Sequence, residues 1–210
     1  MKIDGIPWRK IIVYTIYILL IPSIQVTLSS RLTLWGQTAD IMLVFAVLTG
    51  FIYGFREGLI VGILMGLMRD VLAAPVVAGP GGTLSVAFGI GMLVLFLAGA
   101  FGAVFFEGRT NRNLLLGILA VICYTVIYKV SGNVISSLWS SIISGTGGAR
   151  GILTIIRTSI LPSVLMNAAA SVVIFMLLNF LGPAPYRGKR RKDRNNKELT
   201  YGESGNWLTI

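Results

Sequence analysis

Asp40, Arg69, Asp70, Lys129 and Arg157 are charged side chains that lie in or at the edge of apolar stretches of this 210-residue chain. Acids and bases in such surroundings can move protons, hold an ion or a charged headgroup, or neutralise one another. The chain has no histidine and a single cysteine, Cys123. That excludes a histidine-dependent triad, a zinc-protease motif, a haem pocket and any disulfide within the chain. No recognisable nucleophile or metal-ligand set accompanies the two acids, so neither an enzyme activity nor a catalytic residue, metal or cofactor is expected. The remaining readings for the charged residues are a structural knot, a docking site for a partner, and a site for an anionic lipid headgroup.

The elements that must position them follow from composition. Hydrophobic residues make up 55% of the chain, charged residues 12%, and the mean hydropathy is +0.81. These values describe an integral membrane protein, for which spans are the useful unit. A hydrocarbon core of about 30 Å needs roughly 20 helical residues. Charges and Gly/Pro clusters cut the sequence into six apolar windows, near 11–28, 39–53, 58–74, 84–106, 114–130 and 152–181. The second is short and requires local bilayer thinning, extension back to Gly36, or burial among the other helices. The expected fold is an all-α bundle of six transmembrane helices over residues 1–186, followed by a basic tail, 187–210.

Lysine and arginine set the orientation. With the N-terminus inside, Lys2, Arg9, Lys10, Arg56, Arg109, Arg112 and the basic tail are cytoplasmic, and the outer loops carry only Arg31 and Arg150. Both termini are therefore expected in the cytoplasm. The asymmetry accounts for most of the +10 formal charge, so nucleic acid is not an expected partner. The basic, apolar start is read as a retained first helix, because no convincing cleavage site follows it. The tail is read as a topology determinant near anionic headgroups.

"YGFREG", residues 53–58, joins the second and third windows so tightly that they must form an antiparallel hairpin. Gly54 and Gly58 supply backbone freedom there, and Glu57 suits the positive end of the third helix. In "GLIVGILMGLMRD", residues 58–70, Gly58, Gly62, Gly66 and Asp70 drift by about 40° per four-residue step, forming a slanted strip. Small residues allow close helix approach in lipid. Gly91, Gly99 and Gly102 make the fourth helix a candidate to cross that strip; a lipid or a partner's helix is the other reading. Asp70 falls near the outer end of the third helix and Asp40 at the outer start of the second. With Arg69, Lys129 and Arg157 they form a candidate polar cluster, and Asp70→Asn is expected to weaken assembly more than Asp70→Glu.

"DVLAAPVVAGPGGTLS" is read as an outer loop turned by Pro75, Pro80 and neighbouring glycines. In "SGNVISSLWSSIISG", Val134, Ile135, Leu138, Trp139, Ile142 and Ile143 share a helical face opposite a serine-rich one. Two readings stay open there: an amphipathic surface helix, or a continuation of the fifth span.

The stretch "ADIMLVFAVLTGFIYGFREGLIVGILMGLMRDVLAAPVVAGPGGTLS" resembles the signature region of the bacterial rod shape-determining MreD family. The matching features are the Asp heading a short apolar helix, the "YGxREG" turn, glycines at four-residue steps, the acid closing the third helix, and the Gly-containing loop. The match covers about residues 39–90. The resemblance implies a non-catalytic scaffold or regulator of the cell-wall elongation machinery in the bacterial inner membrane, maintaining rod shape. Implied partners are an MreC-like membrane protein, a RodA-type glycosyltransferase with its penicillin-binding transpeptidase, MreB filaments directly or indirectly, and membrane lipids. The implied bundle is similar to the S components of energy-coupling-factor transporters. Asp40, Gly54, Gly58, Gly62, Gly66 and Asp70 are then packing or partner-contact positions. Two other classes compete, a vitamin-binding S component and a protein handling a lipid-linked precursor through Lys129 and Arg157.

Overall fold

The computed structural model describes residues 8–29, 31, 33–73, 76–78, 84–86, 88–104, 113–144 and 152–183. Helices α1 (Trp8–Ser29), α2 (Ile41–Tyr53), α3 (Phe55–Ala73), α4 (Ile90–Val104) and α5 (Leu114–Ser144) come first. The chain then forms α6 (Ile152–Ile155), a π-helical turn (Ile156–Ile160) and α7 (Leu161–Leu181). A two-stranded antiparallel ribbon, β1 (Val76–Ala78) and β2 (Leu84–Val86), separates α3 from α4, with Val76 opposite Val86 and Ala78 opposite Leu84. The basic tail, 187–210, lies outside the described residues, as do Lys2, Arg109, Arg112 and Arg150.

The molecule is a helical membrane protein. Lys10–Leu28, Leu114–Ile135 and Ile156–Leu181 are each long and apolar enough to cross a bilayer. Large apolar side chains cover the outside, including Ile16 and Leu19 on α1, Leu93 on α4 and Phe180 on α7, all more than half exposed. Such a surface needs lipid or protein against it.

α2 is the centre of the bundle. Every residue from Met42 to Ile52 is buried, as expected of a helix that is hydrophobic all round. At 13 residues it is about 20 Å long, less than the hydrocarbon thickness. Burial among its neighbours resolves that shortfall, because its ends meet protein instead of lipid. Extension to Gly36 does not occur; the helix starts at Ile41, where Asp40 accepts a hydrogen bond from the Leu43 amide at 3.1 Å. Tyr17 of α1 packs on Phe45 with ring centroids 5.2 Å apart. The hydroxyls of Tyr17 and Tyr53 donate to the Leu181 and Leu178 carbonyls, tying the end of α7 to α1 and α2.

Gly54 alone joins α2 to α3. Its φ of 99° and ψ of −177° lie in a region essentially reserved for glycine, and the reversal starts α3 at Phe55, earlier than Gly58. Glu57 sits in the first turn of α3 and pairs with Lys10 of α1. Nothing lies within 4 Å of a Cβ added at Gly54, so Gly54→Ala acts through the backbone and not through a clash. The expected cost is about 1–3 kcal/mol, read as a lower thermal midpoint of the detergent-solubilised protein. A midpoint equal to wild type would remove the conformational argument.

Residues 84–86 are strand, so α4 begins at Ile90 and not at Leu84. α5 continues unbroken to Ser144, which settles the serine-rich segment as a continuation of the same helix. Val134 and Ile135 on it are exposed; the side chains at 138–143 lie outside the described residues. Before α7, Pro162 lacks an amide hydrogen and its ring would crowd the preceding turn. The π-helical turn widens the backbone there: the Leu161 amide donates to the Ile156 carbonyl, five residues back.

Candidate functional site

The glycine strip is a packing surface within the chain. A Cβ at Gly58 would stand 2.6 Å from the Gly99 carbonyl oxygen, one at Gly62 would stand 2.3 Å from the Leu95 oxygen, and one at Gly66 would stand 2.3 Å from the Met92 Cα. α4 thus lies along α3 backbone to backbone. α2 closes the same contact through Gly50, whose added Cβ would sit 2.1 Å from the Gly99 oxygen. Gly102 of α4 faces the Val47 carbonyl in the same way, at 2.1 Å. With α4 in place the strip has no room for a lipid or another protein's helix.

Asp70 completes this contact. Its side chain accepts from the backbone amides of Gly89 (2.9 Å), Gly91 (2.8 Å) and Met92 (3.0 Å), and the residue is 3% exposed. The first amides of a helix have no partner inside it. A carboxylate from α3 therefore caps α4, and the positive end of that helix stabilises the charge. Gly89 takes a positive φ of 97°, which lets the chain turn into the carboxylate.

Asp70 is consequently not part of a two-acid cluster with Asp40. Asp40 faces a different wall, where Arg69 Nη1 donates to its Oδ2 at 2.8 Å. Consecutive residues on α3 diverge by about 100°, so Arg69 and Asp70 leave the helix in different directions and take different partners. Tyr128 of α5 lies beside the same guanidinium. The Asp40 amide donates to Asn167 Oδ1 at 2.7 Å, and Asn167 Nδ2 donates to Thr125 Oγ1 at 3.0 Å. Gln25 of α1 holds the same turn, donating to the Ala39 carbonyl and accepting from the Ile41 amide. Gln37 Oε1 accepts from Lys129 Nζ at 2.9 Å and from Ser163 Oγ at 3.2 Å.

Most of these groups line a 260 Å³ cavity at the N-terminal end of α2. Asp40, Arg69 and Lys129 line it; Arg157 does not, being exposed on the π-helical turn. Gly54 lies at the other end of α2, beside Glu57 and Lys10. The neutral ring of Gln25, Gln37, Ser163 and Asn167 escaped the sequence reading. Its signal was present: isolated amides and hydroxyls within apolar helices, which need partners once lipid is excluded.

The Asp40–Arg69 pair has a testable energy. Asp40 caps α2 as well as neutralising Arg69, so Asp40→Ala is expected to cost about 2 kcal/mol. A double-mutant cycle with Arg69→Met should yield a coupling of about 1 kcal/mol in thermal unfolding. Additive single effects would show that the pair is only a neighbourhood.

Comparison with protein-family models, curated proteins and solved structures finds no match.

Proposed function

We propose that the protein is a non-catalytic membrane scaffold or regulator of bacterial cell-wall elongation, acting in rod-shape maintenance with an MreC-like partner. The reading rests on the MreD-like stretch at residues 39–90. One observation carries it: residues that make the resemblance also form one mechanical unit, with Asp40 starting α2, Gly54 turning the hairpin, Gly58, Gly62 and Gly66 seating α4, and Asp70 capping it. A scaffold needs such rigidity to present fixed helix faces to partners. The chain is proposed to cross the inner membrane six times with both termini cytoplasmic, so that the Lys10–Glu57 pair lies inside and the Asp40 cavity outside. RodA-type and penicillin-binding enzymes and MreB filaments are proposed neighbours in the same assembly.

The vitamin-binding alternative would have to use the 260 Å³ polar cavity or the 310 Å³ apolar groove beside it, both near the lower edge of the roughly 300–1,000 Å³ of typical small-molecule sites. Depletion in a rod-shaped host separates the readings. Rounding of cells in rich medium is expected of the scaffold. Vitamin auxotrophy with normal shape would replace it with transport.

A further inference from the structure

Beside the polar cavity runs an apolar groove of 310 Å³ between α1 and α7, lined among others by Leu28, Met166, Ala169 and Val173. The two adjoin along the start of α2, with α1 and α7 contributing to both. Asp40 and Met42 face the cavity, Ala39 and Ile41 face the groove, and Thr38 lines both. A charged chamber and an apolar groove thus adjoin at Thr38.

Among the described residues the chamber is lined by two basic side chains, Arg69 and Lys129, and one acid, Asp40. Asp40 is engaged by Arg69, and among the described residues Lys129 has a neutral amide, Gln37, as its hydrogen-bond partner and no carboxylate in an ion pair. An ammonium in such a place favours an anion, and lysine binds phosphate as a point charge. The hydroxyls of Thr38 and Tyr128 stand on the same wall. A free anion would leave the apolar groove unexplained, and a second protein's apolar helix would leave Lys129 without a counter-charge. One molecule that satisfies both has an anionic phosphate joined to a hydrocarbon chain.

We propose that this paired cavity and groove binds one anionic phospholipid-type amphiphile, its phosphate beside Lys129 and Arg69 and one chain along α1 and α7. The site requires only that the protein reside in a membrane, so it stands or falls separately from the scaffold reading.

The test uses the full-length protein in detergent, equilibrated with phosphatidylglycerol, phosphatidylcholine or diacylglycerol and read by native mass spectrometry. Phosphatidylglycerol should be retained at one per chain, roughly tenfold or more above diacylglycerol and above phosphatidylcholine. Lys129→Gln should reduce that retention by roughly tenfold. Ala169→Trp, which fills the groove from an exposed position, should reduce it similarly while leaving the Lys129 chamber intact. Inorganic phosphate in excess should not displace the lipid. Equal retention of all three lipids would overturn the proposal, as would displacement by phosphate alone or a lipid-free dimer seated on the groove. If either variant fails to fold, the comparison of the three lipids on the wild-type protein still decides.

Discussion

Gly62→Leu is expected to separate α3 from α4 and abolish accumulation of the folded protein. An added Cβ would meet the Leu95 carbonyl oxygen at 2.3 Å and its carbon at 2.9 Å. These are backbone atoms on the buried face of α4 and cannot rotate away. The helices must part along the whole strip, losing close contact at Gly58 and Gly66 as well. Overpacking of this kind costs about 3 kcal/mol or more. Leu64→Ala, on the exposed side of α3, is the matched control and should change little. Thermal unfolding in detergent, followed by circular dichroism, checks both. A Gly62→Leu protein that melts with the wild type would mean that α4 does not lie on the strip.

Asp70→Ala is the second large effect. One buried and two partly buried amides lose their acceptor together, and an unsatisfied buried group costs about 1–3 kcal/mol. Partial relaxation of the α4 terminus should hold the total near 3 kcal/mol, against about 1–2 kcal/mol for loss of an ordinary cap. Asp70→Asn keeps one oxygen for Gly89 and Met92 but turns an amide group toward the Gly91 donor, so an intermediate loss is expected. Asp70→Glu is no longer the mild substitution that charge alone suggested. A Cβ at Gly91 would already be 2.3 Å from Asp70 Oδ1, which leaves no space for an extra methylene. Hydrogen exchange of the Gly91 and Met92 amides reads the effect directly. Unchanged protection in Asp70→Ala would show that the carboxylate does not cap α4.

Much of this architecture was legible in residue spacing. Glycines at four-residue steps marked α3 as a close-contact helix, and Gly91, Gly99 and Gly102 marked its partner. Both patterns depend on local sequence and on the 3.6-residue period. The role of Asp70 was not legible, because its partners are backbone amides of another helix, and backbone groups leave no signature in residue type. The start of α4 was misjudged for a related reason. "TLSVAFGIGML" is uncharged and mostly apolar, and only the cap and the turn at Gly89 decide where strand gives way to helix. Grouping all the charged residues into one cluster also failed on geometry. Adjacent positions on α3 send Arg69 toward Asp40 and Asp70 toward α4, and Arg157 stays outside the cavity.

The result is a membrane protein whose two acids do different work. Asp70 fixes α4 against α3, while Asp40 starts the buried α2 and holds Arg69 in the lining of a polar chamber. α2, α3 and α4 form a tightly seated unit. Most of the exposed area on α1 and α7 is apolar helix, which suits lipid or the transmembrane segments of partners.

Purification of the tagged full-length protein from native membranes, with mass identification of bound proteins, tests the proposed scaffold role most directly. An MreC-like membrane protein should be recovered near equal stoichiometry, together with wall-elongation enzymes. Recovery of a transport ATPase module with none of these proteins would contradict the scaffold role.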